Sequence, residues 1–114
     1  MKFYYNGIKL RTSEKHHYTH AIIVHNENGT ITCKGCSSTK KGAEKLMNDS
    51  WLFRNYRTWL SVQRGDYRPK DRWSYSLQKM IEKANENYGS VDKAVEWYKN
   101  EVSKYEIVEV EERA

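Results

Sequence analysis

The sequence predicts an α+β fold, an antiparallel sheet of N-terminal strands plus a C-terminal strand, with two or three helices packed on one face. Three observations carry that reading. Short alternating apolar runs fill residues 2–34, apolar positions recur every three or four residues through the middle of the chain, and the β-branched run "YEIVEVE" lies near its end. At 114 residues with one proline, and with no internal repeat or linker-like tract, the whole of 1–114 is expected to form a single domain.

The elements follow in order. "KFYY" and "IKLR" flank Asn6-Gly7, a dipeptide that accepts the two positive φ angles of a type I′ turn, so a hairpin is expected there. After the polar "TSEKHH", the segment "YTHAIIVH" carries Tyr18, Ile22, Ile23 and Val24, and "NENG" turns it into "TITC", which makes four antiparallel strands within 2–34. Alternation puts Ile31 and Cys33 on one face of the last strand and Thr30 and Thr32 on the other. From Ser38 the period lengthens. Ala43, Leu46, Met47, Ser50, Phe53, Arg57 and Leu60, widened by Trp51, Tyr56 and Trp59, predict one long helix to about Gln63, capped by Ser37, Ser38 or Thr39. Gly65 and Pro69 stop it. Trp73, Leu77, Met80, Ile81, Ala84 and Tyr88 mark a second helix ended by Gly89, and Ser90 caps a third that shows Val91, Ala94, Val95, Tyr98 and Val102. The closing strand is expected to join the same sheet or that of a second subunit.

Composition narrows the function. No window approaches the roughly 18 apolar residues of a membrane span, and "MKFYYNGIKL" lacks the apolar core of a signal peptide, so a soluble cytoplasmic protein is expected. Two cysteines exclude a disulfide scaffold. Nine tyrosines and four tryptophans against two phenylalanines mean that most rings carry a polar tip suited to an interface or a ligand pocket. The net charge of +5 is uneven: residues 1–72 hold 14 Lys/Arg and 6 Asp/Glu, residues 73–114 hold 6 and 9. The longer, basic part favours an anionic partner such as a phosphate.

"TCKGCSSTKKGAEK", residues 32–45, admits several chemistries. His16, His20, Cys33 and Cys36 have the right ligand types for zinc, but Cys33 is already explained as an inward strand residue, and strand-end thiols beside surface histidines are the simpler account. A thioredoxin-type redox pair would need a βαβ unit, which the pattern lacks. Free N–H groups at the helix entrance, with Lys40 and Lys41, could hold an anion, or the entrance could simply be capped. Further along, Arg54 and Arg57 border an aromatic face, and "DYRPKDRW" interleaves Tyr67 and Trp73 with Arg68, Lys70 and Arg72, a mixture suited to stacking on a base and neutralising phosphate. Solvated helix boundaries and a basic turn would look the same. No Gly-rich phosphate loop, HExxH, G-x-S-x-G or paired-carboxylate constellation is present, and no RNP, KH, zinc-finger or helix-turn-helix signature. Binding of a small ligand is therefore expected rather than catalysis or sequence-specific recognition of nucleic acid, and neither a metal nor a cofactor is expected.

"YYNGIKLRTSEKHHYTHAIIVHNENGTITCKGC" followed by "AEK" resembles the N-terminal pattern of small phage proteins of the first Thoeris anti-defence family, chiefly in "NG-x-K-LRTS", "YTHA" and the Cys-Gly pair before the helix. The resemblance covers about the first third of the chain. It implies an α+β homo-oligomer that sequesters a cyclic ADP-ribose signal, notably a glycocyclic form, without cleaving it, in the host bacterial cytoplasm. Arg11, Thr12 and His20 stand inside the matching motifs. Arg54, Arg57, Arg68 and Trp73 are ligand-binding candidates on chemical grounds. The competing expectation is a basic inhibitor of a nucleic-acid-handling defence complex, of the anti-CRISPR kind.

Overall fold

A computed structural model describes residues 1–114. The fold is α+β, with ten elements: β1 (Lys2–Tyr5), β2 (Ile8–Thr12), β3 (His20–His25), β4 (Ile31–Ser37), α1 (Lys40–Asn48), α2 (Trp51–Arg64), α3 (Leu77–Tyr88), α4 (Val91–Val102), β5 (Tyr105–Glu109) and β6 (Glu111–Arg113). They form two units, one of residues 1–50 with 103–114 and the other of residues 51–102. No helix is long and apolar enough to cross a membrane.

The first unit contains two three-stranded antiparallel sheets, ordered β2-β1-β6 and β4-β3-β5, in place of the one sheet expected. The N-terminal hairpin forms as expected, with Asn6 at φ 48° and Gly7 at φ 77° between the paired Tyr5 and Ile8. The C-terminal run does not make one strand. It divides at Val110, whose N–H donates to the Thr19 carbonyl (3.0 Å), so that β5 completes the second sheet against β3 while β6 completes the first against β1.

Strand β3 is central to its sheet and buries four successive residues, Ala21 to Val24. Burial of both faces explains why "AIIV" is continuous rather than alternating. Ala21 and Ile23 pack with Cys36 and Val108, covered by Tyr5, Leu10, Tyr18 and Val110, and helix α1 packs on the sheet. Ile23 and Phe3 are wholly buried, each contributing about 1.5–3 kcal/mol of transfer free energy. Helix α1 belongs to the first unit, and the other three helices make the second.

The long helix expected to reach Gln63 is two. At the end of α1 the Asp49 N–H donates to the Lys45 carbonyl (2.9 Å), and both the N–H and the hydroxyl of Ser50 donate to the Met47 carbonyl (3.2 and 2.6 Å). A serine that takes up a carbonyl in this way competes with helix continuation. The spacing Met47, Ser50, Phe53 runs through the break and gives no sign of it.

In the second unit, Trp59 and Val62 of α2, Met80 and Ala84 of α3, and Ala94, Val95 and Tyr98 of α4 form one core. All but Val62 are positions the helical spacing singled out, and α3 and α4 are capped by Ser76 and Ser90, which accept from the Lys79 N–H (3.2 Å) and the Lys93 N–H (3.1 Å). Trp73 is not part of α3. It lies in the preceding loop at 81% exposure, with the Arg72 guanidinium 4.9 Å from its ring centroid.

Candidate functional site

Helix α2 begins with Trp51 and presents Arg54, Asn55, Thr58 and Ser61 at helical spacing, a stripe set apart from the buried Trp59 and Val62. The loop 65–76 returns beside this stripe. Gly65, at φ 83°, ends α2 by donating to the carbonyls of Ser61 and Val62 (3.0 and 3.1 Å), a left-handed stop that a side chain would strain. Tyr67 Oη then donates to the Tyr75 carbonyl (2.7 Å), tying the two ends of the loop together. Inside it, Asp71 Oδ1 accepts from the backbone N–H groups of Trp73 (2.8 Å) and Ser74 (3.0 Å), which makes a local turn of the "KDRWS" segment.

The helix stripe and the loop enclose a cleft of about 700 Å³, within the range of small-ligand sites. Arg54, Arg57, Arg68 and Lys70 line it together with the rings of Trp51, Tyr67 and Tyr75. Asp66 is the only carboxylate in the lining, and Arg64 Nε already donates to it (3.2 Å). The cleft is therefore strongly cationic. Trp51, at 61% exposure, offers an indole face, and Tyr75 already carries one cation, with Lys83 Nζ 4.7 Å from its ring centroid. Thr58 and Ser61 donate their hydroxyls to the carbonyls of Arg54 (3.1 Å) and Thr58 (2.6 Å), so toward a ligand their oxygens serve as acceptors.

Three of the seven residues singled out from sequence, Arg54, Arg57 and Arg68, thus come together. Trp73 is outside the cleft lining. Arg11, Thr12 and His20 belong to the other unit. Arg11 lines a smaller cleft of about 310 Å³ with Lys34, Gly35, Cys36, Leu46 and Met47, and its guanidinium is 5.9 Å from the Tyr18 ring centroid. Thr12 pairs with Lys2 at the end of β2 and is exposed, while His20 Nδ1 shares a 2.7 Å hydrogen bond with Thr19 Oγ1. Trp51, Asn55, Thr58, Ser61 and Tyr75 were not anticipated. For the four helix residues the signal was the spacing of 51, 54, 55, 58 and 61, a mostly polar stripe that an apolar count passes over; Tyr75 carried none.

The helix entrance at 37–41 is occupied by its own caps. Thr39 Oγ1 accepts from the Gly42 N–H (2.9 Å) and Ser37 Oγ from the Thr39 N–H (3.3 Å). His16 stacks on Tyr18 with centroids 5.5 Å apart, and His16, His20, Cys33 and Cys36 are not gathered into one group.

Cys33 shares a face with Ile31 as the alternation predicts, but the strand expected to end by residue 34 runs on to Ser37 and takes in Cys36. Both lie in β4, where Ile22 pairs with Gly35 but Ile23 pairs with Cys33, leaving Lys34 as the extra residue of a β-bulge. Residues three apart in a regular strand face opposite ways; the bulge returns Cys36 to the side of Cys33, and their sulfurs are 3.8 Å apart. The hydrogen bond from Cys36, helped by the Gly35 backbone and Arg11 against the cost of burial, pulls the Cys33 pKa down to about 6. The same bond and burial push the Cys36 thiol up.

No family model, curated protein or solved structure matches the chain.

Proposed function

We propose that this protein binds and sequesters an intact cyclic nucleotide of the ADP-ribose type, as a phage immune-evasion protein acting in the host bacterial cytoplasm, with its ligand in the cleft of the second unit. The observation that carries the proposal is the convergence of Arg54, Arg57, Arg68 and Lys70 with Trp51, Tyr67 and Tyr75 on one cleft. A diphosphate calls for such guanidinium groups, which meet phosphate oxygens in bidentate fashion. An adenine calls for a ring or guanidinium to stack on, and riboses for the oxygens of Asn55, Thr58 and Ser61. The residues lining the cleft offer no evident nucleophile activated by a base, which favours holding the ligand over cleaving it. The resemblance of "NG-x-K-LRTS" and "YTHA" to the Thoeris anti-defence family supports the same ligand class and a homo-oligomeric assembly.

Native mass spectrometry of the protein with a panel of cyclic nucleotides tests this, since it reports assembly and bound mass together. The expected result is stoichiometric uptake of a cyclic ADP-ribose form and its release unchanged on heating. Release of a cleaved product, or uptake of none, would sink the proposal. Affinity for nucleic acid that falls steeply with salt, without uptake of a small molecule, would favour the basic-inhibitor reading instead. Arg54→Ala and Arg68→Ala should each weaken ligand binding about tenfold or more by removing a charge-assisted contact, measured by calorimetry.

A further inference from the structure

The sulfur pair on β4 lies outside the proposed nucleotide cleft, in the other unit, and has the arrangement of a thiol–disulfide exchange site. Three geometric facts bear on it. The bulge at Lys34 places both sulfurs on one side of the strand at 3.8 Å, so bond formation requires each to close only part of about 1.8 Å to reach a normal disulfide length. The two sulfurs are unequally accessible: Cys33 is half-buried and Cys36 is 8% exposed. Finally, β4 is an edge strand, and the small cleft at its bulge is lined by Cys36 with two cations, Arg11 and Lys34. Cys33 is not in that lining, so the cleft's two cations would hold a carboxylate of a small disulfide whose sulfur meets Cys33 beside it.

We propose that Cys33 and Cys36 form a redox-active dithiol that reduces an anionic low-molecular-weight disulfide and itself closes to an intramolecular disulfide. The more exposed Cys33 attacks as thiolate on one sulfur of the incoming disulfide. The incoming S–S bond breaks, its second sulfur leaves as a thiolate with the electron pair, and a mixed disulfide remains on Cys33. Cys36 then gives its proton to the released thiolate and attacks the Cys33 sulfur, expelling the second thiolate. From its thiolate–thiol form the protein loses two electrons and the Cys36 proton, the second thiolate takes its proton from water, which earlier received that of Cys33, and one small disulfide becomes two small thiols. Arg11, which favours the thiolate of both cysteines, assists the attack and the resolution alike.

The full-length protein, reduced and then incubated with oxidised glutathione at pH 6, tests this by acid quench, alkylation of remaining thiols and intact mass measurement. Wild type is expected to lose two hydrogens and both alkylation sites with little glutathione adduct at any time. Cys36→Ser, whose hydroxyl retains a donor toward Cys33, is expected to accumulate a single adduct, about tenfold faster than Cys33→Ser does, the gain in thiolate being partly offset by weaker nucleophilicity. Adduct that accumulates on wild type without ring closure overturns the proposal, and so do equal rates for the two single variants. A further check uses wild type alone: in denaturing urea, ring closure should slow relative to adduct formation, and an unchanged ratio would show that the folded arrangement contributes nothing.

Discussion

Single residues here take their meaning from neighbours that are distant in sequence. Cys33 and Cys36 have opposite protonation preferences because one donates to the other, so stability should depend on pH in two stages. Between about 6 and the ordinary thiol value of about 8.5, the unfolded chain holds a proton that native Cys33 has lost, and stability rises with pH. Above that value the unfolded chain loses the proton that native Cys36 retains, and stability falls. Urea denaturation from pH 5.5 to 10 should therefore show a maximum near 8.5 that Cys33→Ser with Cys36→Ser flattens. Arg11, whose pKa is raised, faces both sulfurs and keeps its charge over this range, and Lys34 lines the adjoining cleft. The helix entrance is similarly decided by one side chain. Thr39→Ala, which removes the acceptor for the Gly42 N–H, should cost about 1 kcal/mol, read as a lower midpoint of thermal unfolding.

At the scale of elements, period and caps determine most of what forms. The hairpin turn at Asn6-Gly7, the serine cap of α4 and, Val62 apart, the core positions of the three helices of the second unit follow from spacing and side-chain chemistry. Gly89 ends α3 at φ 96°, in the left-handed region, with its N–H donated to the Ala84 carbonyl (3.0 Å). Gly89→Ala should therefore destabilise by about 1 kcal/mol, which chemical denaturation followed by circular dichroism would measure. Three boundaries were not legible. The break at Asp49-Ser50 keeps the helical spacing of apolar residues, the division of the last strand at Val110 keeps strand alternation, and the bulge at Lys34 leaves no compositional mark. Each depends on a hydrogen bond or a pairing partner outside the local pattern. Trp73 shows the converse error, a residue with helical spacing that belongs to a loop because Asp71 accepts its N–H.

For the whole molecule, the two units redistribute the charge. Residues 1–72 and 73–114 differ by +8 against −3, yet the unit of 1–50 with 103–114 holds 10 Lys/Arg and 8 Asp/Glu, and that of 51–102 holds 10 and 7. The acidic C-terminal strands pair with the N-terminal ones, so the end-to-end charge difference is lost, and local groupings such as that around the α2 cleft are what attract an anion. Hydrogen exchange with a bound cyclic nucleotide should slow amides in α2 and the 65–76 loop. Protection in β1 and β2 instead would move the ligand to the unit of Arg11, Thr12 and His20. The α+β class, the helical core and three cationic residues of the cleft could be read from the amino-acid order, because periodicity, capping and the clustering of Arg with aromatic residues are local properties. The division into two sheets and two units, the meeting of Trp51 with the loop 65–76, and the pairing of the two sulfurs were decided by tertiary structure alone. Each of these depends on which distant segment lies alongside, and no local pattern records that choice.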